Sequence, residues 1–109
     1  MSQYQLRVYT LCGPEALVAY ENIWSKHIPG MAKYRITTHG IWTEPAAFGS
    51  EMPQLYALVS YRDGDDAQER LLAYLAGPEF SADMEGFDLG QIVGVTETAL
   101  TPTSDSPLR

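Results

Sequence analysis

The chain has 109 residues, with fourteen acidic against seven basic side chains, a formal net charge of −7 at pH 7 and a pI near 4.5. The length fits a single domain, and the charge repels phosphate backbones and anionic lipids, so we expect neither nucleic-acid nor membrane partners. With one cysteine, two histidines, no long apolar run and no leader pattern, we expect a cytoplasmic protein without metal or cofactor.

The first segment, residues 3–11, alternates in side-chain character and predicts a β-strand with two different faces. Arg7 stands between Leu6 and Val8 in this alternation, so we expect it to face away from any helix layer. On that face it is expected to pair with Glu97 of the last predicted strand, as a structural ion pair at a dimer seam.

A helix is predicted after this strand. Pro14 suits the first helical turn, where a missing N–H costs nothing. From Glu15 to Ile28 apolar side chains recur every three or four residues, and the stripe that they form includes His27. Pro29 and Gly30 are expected to stop this helix.

Turn-forming residues divide the rest of the chain. Composition and spacing predict a strand over 36–43, a loop over 45–53 and a strand over 54–62. They then predict a helix over 67–76, a short turn over 78–84, a strand over 92–100 and a tail over 101–109. The acidic residues at 63–69 and 79–88 lack the spacing of a calcium loop. We interpret them as turn, helix-start and solvated loop charges.

The predicted order β, α, β, β, α, β indicates a ferredoxin-like α+β fold, in which two helices cover one face of a four-stranded antiparallel sheet. Apolar and aromatic residues on both strand faces, such as Tyr56 and Leu58, indicate that the second face is not simply solvated. We therefore expect one domain over residues 1–100, a flexible tail over 101–109, and a homodimer packed sheet against sheet.

Several short strings, spread over most of the chain, are shared with a known family: Tyr4, Leu6, Arg7, Tyr9, Thr10, Leu11; Trp24, Pro29; Gly40, Ile41, Trp42, Thr43; Tyr61, Arg62, Asp63; Pro78, Glu79, Phe80. With them the chain resembles the NIPSNAP family of the dimeric α/β-barrel superfamily. The resemblance implies a sheet-to-sheet dimer with a cavity in each subunit between sheet and helices. It implies no particular reaction, because the wider superfamily includes cofactor-independent monooxygenases, polyketide cyclases and haem enzymes.

His27 and His39 are the candidate catalytic bases. On the buried stripe, an apolar environment lowers the pKa of His27 and leaves a usable base. The alternative is a partly exposed cation near the helix C-terminus. The face of His39 depends on strand register. If Gly40 and Trp42 face the helices, the glycine leaves room for a pocket beside the indole, and His39 looks toward the dimer interface.

The aromatic content, two Trp, seven Tyr and three Phe, is larger than a core of this size requires. Buried tyrosines need partners for their hydroxyls, so several are expected to meet polar groups or a ligand. Tyr20, Tyr61 or Tyr74 is expected to orient or protonate a substrate oxygen, and of these Tyr61 is placed with the catalytic residues. The residues predicted to bind substrate are Tyr20, Trp24, Trp42, Tyr74 and Phe80. Ordinary core packing is the alternative for each of them.

These features predict a small, cofactor-independent enzyme of the cyclase, isomerase or monooxygenase type. Its expected substrate is a flat, partly apolar metabolite such as a polyketide-like or phenolic compound. The alternative is a non-catalytic NIPSNAP-like module that binds a ligand or another protein. Haem binding through one histidine is a third possibility that the superfamily permits.

Overall fold

The computed structural model describes residues 3–45 and 51–109. The elements in chain order are β1 (Gln3–Leu11), α1 (Pro14–Ala32), β2 (Ile36–Thr43), β3 (Gln54–Tyr61), α2 (Ala67–Ala76), α3 (Pro78–Asp83) and β4 (Ile92–Leu100). The four strands form one antiparallel sheet in the order β2-β3-β1-β4. The predicted ferredoxin-like α+β fold is confirmed. Part of the predicted loop over 45–53 lies outside the described residues. No helix in the described ranges has the length and apolar character to cross a membrane.

The two faces of the sheet differ in what they contact. One face packs beneath the helices, and its odd-numbered residues Leu11, Leu55 and Val59, from β1 and β3, are fully buried there. The register pairs even-numbered residues on the opposite face, which we call the open face. Its large side chains are Tyr4, Leu6, Val8, Trp42, Tyr56, Leu58 and Leu100.

Helix α1 does not stop at Pro29 and Gly30 as the sequence predicts, but runs on to Ala32. Pro29 forgoes one backbone hydrogen bond, yet the added turn buries Met31 in the core. Gly30 also allows α3 to approach closely, since a Cβ at this position would lie 2.5 Å from Oδ2 of Asp83. The prediction was wrong because tertiary packing outweighs the local helix breakers.

The C-terminal residues 101–109 continue from β4 and lie beside the open face. With Tyr4 and Leu58 they surround a cavity of about 300 Å³. The backbone amide of Ser106 donates a hydrogen bond to the carbonyl of Thr103, so the segment bends on itself. The flexibility expected of this tail stays a prediction.

Candidate functional site

A cavity of about 120 Å³ lies between the sheet and the helices. Strand β1, helices α1, α2 and α3, and the segment that leads into β4 all contribute walls. Besides His27, four residues that the sequence predicts to bind substrate line this cavity: Tyr20, Trp24, Tyr74 and Phe80. The apolar stripe of α1 and the short helix α3 therefore bring together most of the predicted site.

His27 belongs to a buried hydrogen-bond network that links α1, α2 and α3. Its Nδ1 lies 2.6 Å from the Tyr74 hydroxyl and 3.3 Å from Oδ2 of Asp83. The same hydroxyl donates to Oδ2 across 2.6 Å. Because a hydroxyl has one proton and this one goes to Asp83, we assign a proton to Nδ1, which donates to the Tyr74 oxygen. In the neutral ring, Nε2 is then the hydrogen-bond acceptor.

Burial lowers the pKa of His27 below its ordinary value of 6.5, against the opposing effect of the neighbouring Asp83. Phe80 stacks on the imidazole with 5.9 Å between ring centroids, and Trp24 meets it edge-on at 5.2 Å. The predicted burial of His27 is confirmed. The alternative, in which His27 is a partly exposed cation near the C-terminus of α1, does not describe the structure. A neutral imidazole with an unprotonated Nε2 can act as a general base.

Arg7 lies on the helix side of β1, which contradicts the predicted orientation. Its Nε donates to the Tyr9 hydroxyl at 2.6 Å, and its Nη1 donates to Oε1 of Gln5 at 2.9 Å. The predicted pairing with Glu97 is confirmed at 3.0 Å. The side was wrong because Tyr9 and Leu11, which alternate in phase with Arg7, are the residues that enter the core. Arg7 therefore brings a permanent positive charge to the cavity.

The indole of Trp24 is fully buried. Its Nε1–H has no hydrogen-bond partner within the part of the chain that the structure describes. Tyr9 and Tyr20 meet the indole edge-on, at 5.8 and 6.4 Å between ring centroids. Burial raises the pKa of Tyr20, and the nearby indole opposes this shift without completing a hydrogen bond. Because a buried, unpaired N–H costs about 1–3 kcal/mol, this donor is suited to a ligand oxygen.

A wider groove of about 510 Å³ runs along α2 and adjoins the cavity, since Leu71 and Leu75 line both. Tyr61 lies in this groove, where burial raises its pKa. Its hydroxyl donates to Oε1 of Gln5 at 3.3 Å, the atom that also accepts from Arg7. Tyr61 is thus connected to the cavity through Arg7 rather than placed beside the imidazole of His27.

His39 and Trp42 lie on the open face, away from the cavity. A register shift just before Gly40 interrupts the alternation of β2. His39 Nε2 lies 2.7 Å from Oγ of Ser60, and its ring packs against Tyr4 at 5.2 Å. Trp42 folds back over Gly40 and stays 52% exposed. Of the two registers that the sequence left open, the one in which Gly40 and Trp42 face the helices and leave a pocket there does not form, because the bulge turns both residues to the face that His39 occupies.

Asp83 is the cavity-network residue that the sequence analysis missed. The interpretation of the acidic residues at 79–88 as solvated is wrong for Asp83, whose side chain is only 13% exposed and binds Tyr74. A signal was present. Asp83 lies three positions after Phe80 in a helix that Pro78 begins, and residues three apart share a helix face.

The described residues offer no built site for a metal or for haem. Among residues 3–45 and 51–109, no group of three or more His, Cys, Asp or Glu side chains could hold a metal ion. The cavity beside His27 measures about 120 Å³, far smaller than a porphyrin. His27 also uses Nδ1 within its own network, and Phe80 covers one face of its ring. The residues present therefore do not fit haem at His27.

Known proteins share this fold. A NIPSNAP family protein of unknown function from Agrobacterium tumefaciens superposes with a TM-score of 0.78 at 18% identity, over 99% of this chain and 94% of that one. A second NIPSNAP family protein from the same organism superposes with a TM-score of 0.77 at 19% identity, over the whole of both chains. A NIPSNAP-like domain protein from Burkholderia xenovorans superposes with a TM-score of 0.75 at 21% identity, over 97% of this chain and 89% of that one. No curated protein sequence matches the chain. The NIPSNAP family model matches residues 4–107, and the chain therefore belongs to the NIPSNAP family.

Proposed function

We propose that the chain is a cytoplasmic, cofactor-independent enzyme that transfers protons on a small, flat, partly apolar metabolite, as in an isomerisation or cyclisation. One observation carries the proposal. The neutral imidazole of His27 stands at a cavity wall with Nδ1 engaged by Tyr74 and Nε2 left to accept a proton. Aromatic rings on several sides of this cavity suit a planar substrate.

Isomerisation and cyclisation by proton transfer each need one base that takes a proton from the substrate and later gives it back. Nε2 of His27 removes a proton from a carbon next to a carbonyl, and the C–H electron pair moves into the carbonyl to form an enolate. The imidazolium is stabilised by the Asp83 carboxylate, which lies 3.3 Å from Nδ1 and accepts from Tyr74. Where the enolate is conjugated with a C=C bond, return of the proton from Nε2 to the far carbon completes an isomerisation. Where the enolate attacks a second carbonyl of the substrate, a C–C bond forms, the carbonyl becomes an alkoxide, and transfer of the proton from Nε2 to that alkoxide completes a cyclisation and restores the neutral imidazole.

The second candidate is a NIPSNAP-like module that binds a ligand or another protein without turnover. The same cavity would be the small-molecule binding site of such a module. The buried network of His27, Tyr74 and Asp83 favours catalysis, because an apolar core would fill this space without desolvating an imidazole and a carboxylate.

Replacing His27 with asparagine should slow enzyme-catalysed proton transfer by about 10²- to 10⁴-fold, the usual contribution of a general base. Asparagine keeps an N–H near Tyr74 and removes the base. The probes are benzoylacetone, which is neutral, and phenylpyruvate, which is anionic. Their keto–enol interconversion is followed by ultraviolet absorbance.

The matched control is His39→Asn, which changes the other histidine on the opposite side of the sheet and should leave the rate as it is. The proposal is contradicted if the wild-type chain accelerates neither probe above buffer. It is equally contradicted if His27→Asn matches the wild type.

We also propose that two copies pack through their open faces. Tyr56, Leu58 and Leu6 are only half-buried in one chain, and Trp42 is 52% exposed. The strand register places these side chains next to one another on the open face, and neighbouring apolar side chains at a surface are typical of an interaction site. A two-fold axis would let the same surface cover itself. The cavity of each copy lies on the other side of its sheet, so dimerisation would leave both cavities accessible.

A further inference from the structure

We propose that the cavity and the groove along α2 together bind one anionic amphiphile. Its carboxylate meets the guanidinium of Arg7 and the indole N–H of Trp24, and its flat apolar body lies along α2. This inference rests on the proposed function, because it names the class of substrate that the same site would take.

The Trp24 indole supplies the first argument. It is fully buried, its N–H has no partner among the described residues, and it lines the cavity. A ligand atom that satisfies it must be an acceptor, and the oxygens of an ionised carboxylate accept hydrogen bonds without donating any. Hydrogen bonds to an ionised acceptor are about twice as strong as neutral ones, so an anion gains most from this donor.

The charge of Arg7 supplies the second argument. The chain as a whole carries −7, which disfavours anions, so an anionic ligand needs a local cation. Arg7 is 7% exposed and held in place by Tyr9 and Gln5. Its ion-pair partner Glu97 is 45% exposed on the edge strand β4, so the carboxylate can turn to solvent when a ligand binds. Asp83 is already engaged by Tyr74.

The groove supplies the third argument. Its α2 wall is mostly apolar, with Gln68 as the one polar residue that α2 contributes, and two of its leucines are unusually open, with Leu72 55% and Leu75 42% exposed. A volume of about 510 Å³ lies within the usual range for small-molecule sites. The groove and the inner cavity share Leu71 and Leu75, and Glu97 of the groove lies 3.0 Å from the Arg7 guanidinium, so a ligand in the groove would lie next to this charge.

The test compares phenylacetate with phenylacetamide, which has the same shape without the charge. We expect the wild-type chain to bind the acid at least about tenfold more tightly than the amide. In isotope-labelled Trp42→Phe protein, whose one remaining indole is Trp24, the acid should shift the indole N–H resonance. Arg7→Gln should weaken acid binding about 10- to 100-fold and amide binding much less, because only the acid loses a charge-assisted interaction.

Equal affinity for acid and amide would overturn the inference, as would an acid that binds without moving the Trp24 resonance. The comparison of two ligands on the Trp42→Phe chain keeps the test decisive even where Arg7→Gln does not fold. His27→Asn should still bind phenylacetate. If the acid binds but phenylpyruvate and benzoylacetone do not turn over, the proposed function fails and this inference stands. If benzoylacetone turns over but the acid binds no more tightly than the amide, this inference fails and the proposed function stands.

Discussion

Replacing Trp24 with alanine should lower the free energy of unfolding by about 3–5 kcal/mol, the usual cost of removing a fully buried Trp. The indole is 0% exposed and contacts the rings of Tyr9, Tyr20 and His27. Because a domain has about 5–15 kcal/mol in all, this single change should bring the chain close to unfolding. The free energy of unfolding is measured by urea denaturation, with circular dichroism as the signal.

Leu72→Ala is the control, because it also truncates a large apolar side chain, one that is 55% exposed on α2. It should change the free energy of unfolding by no more than about 0.5 kcal/mol, as surface substitutions usually do. A Trp24→Ala chain as stable as the control would contradict the burial on which the cavity depends.

Replacing Leu58 with aspartate should convert a homodimer into single chains of 12.1 kDa. Leu58 lies on the open face, opposite Leu6 of β1 and Gly40 of β2. If two open faces meet, the change buries a carboxylate without a partner, at a cost of several kcal/mol. The two-fold symmetry repeats that cost in the second copy. Light scattering coupled to size-exclusion chromatography gives the mass.

Val18→Asp serves as the control, since Val18 is a 47% exposed apolar residue on α1, outside the open face. It should leave the dimer intact. A wild-type chain that runs as a monomer, or a Val18→Asp variant that dissociates as fully as Leu58→Asp, would refute the open-face dimer.

The fold could be predicted from the sequence because each element carries its own periodicity. Alternation over residues 3–11 and 92–100 marks strands, and the three- and four-residue spacing that leads to His27 marks a buried helix stripe. Asp66 caps α2 as predicted, accepting from the amide of Glu69 at 3.2 Å. Such signals depend on neighbouring residues in the chain, so they can be identified from a single sequence.

The errors arose where the outcome depends on what packs from elsewhere. Alternation in β1 shows that Arg7 shares a face with Tyr9, but not which face the helices cover. At His39 one extra residue in the strand reverses the side on which the next residues lie. Gly40 is a residue type that often marks a bulge, but a glycine alone does not show that the register shifts there. The composition around Asp83 indicates a solvated residue, whereas its burial depends on the packing of α3 against α1 at Gly30 and on the contact with Tyr74 of α2.

The lowered pKa of His27 also makes stability depend on pH. The unfolded chain takes up a proton as the pH falls through 6.5, whereas the folded chain does so only at lower pH. Stability from this residue is therefore complete above about pH 6.5 and is lost progressively as the pH falls toward the folded pKa.

The most direct test of the account is an NMR titration of the His27 ring nitrogens in an isotope-labelled His39→Asn chain, where His27 is the sole histidine. We expect a pKa below 6.5, a protonated Nδ1 and an unprotonated Nε2 in the neutral ring. A pKa at or above 6.5, or a neutral ring with its proton on Nε2, would contradict the claim that His27 is a buried base held by Tyr74 and Asp83.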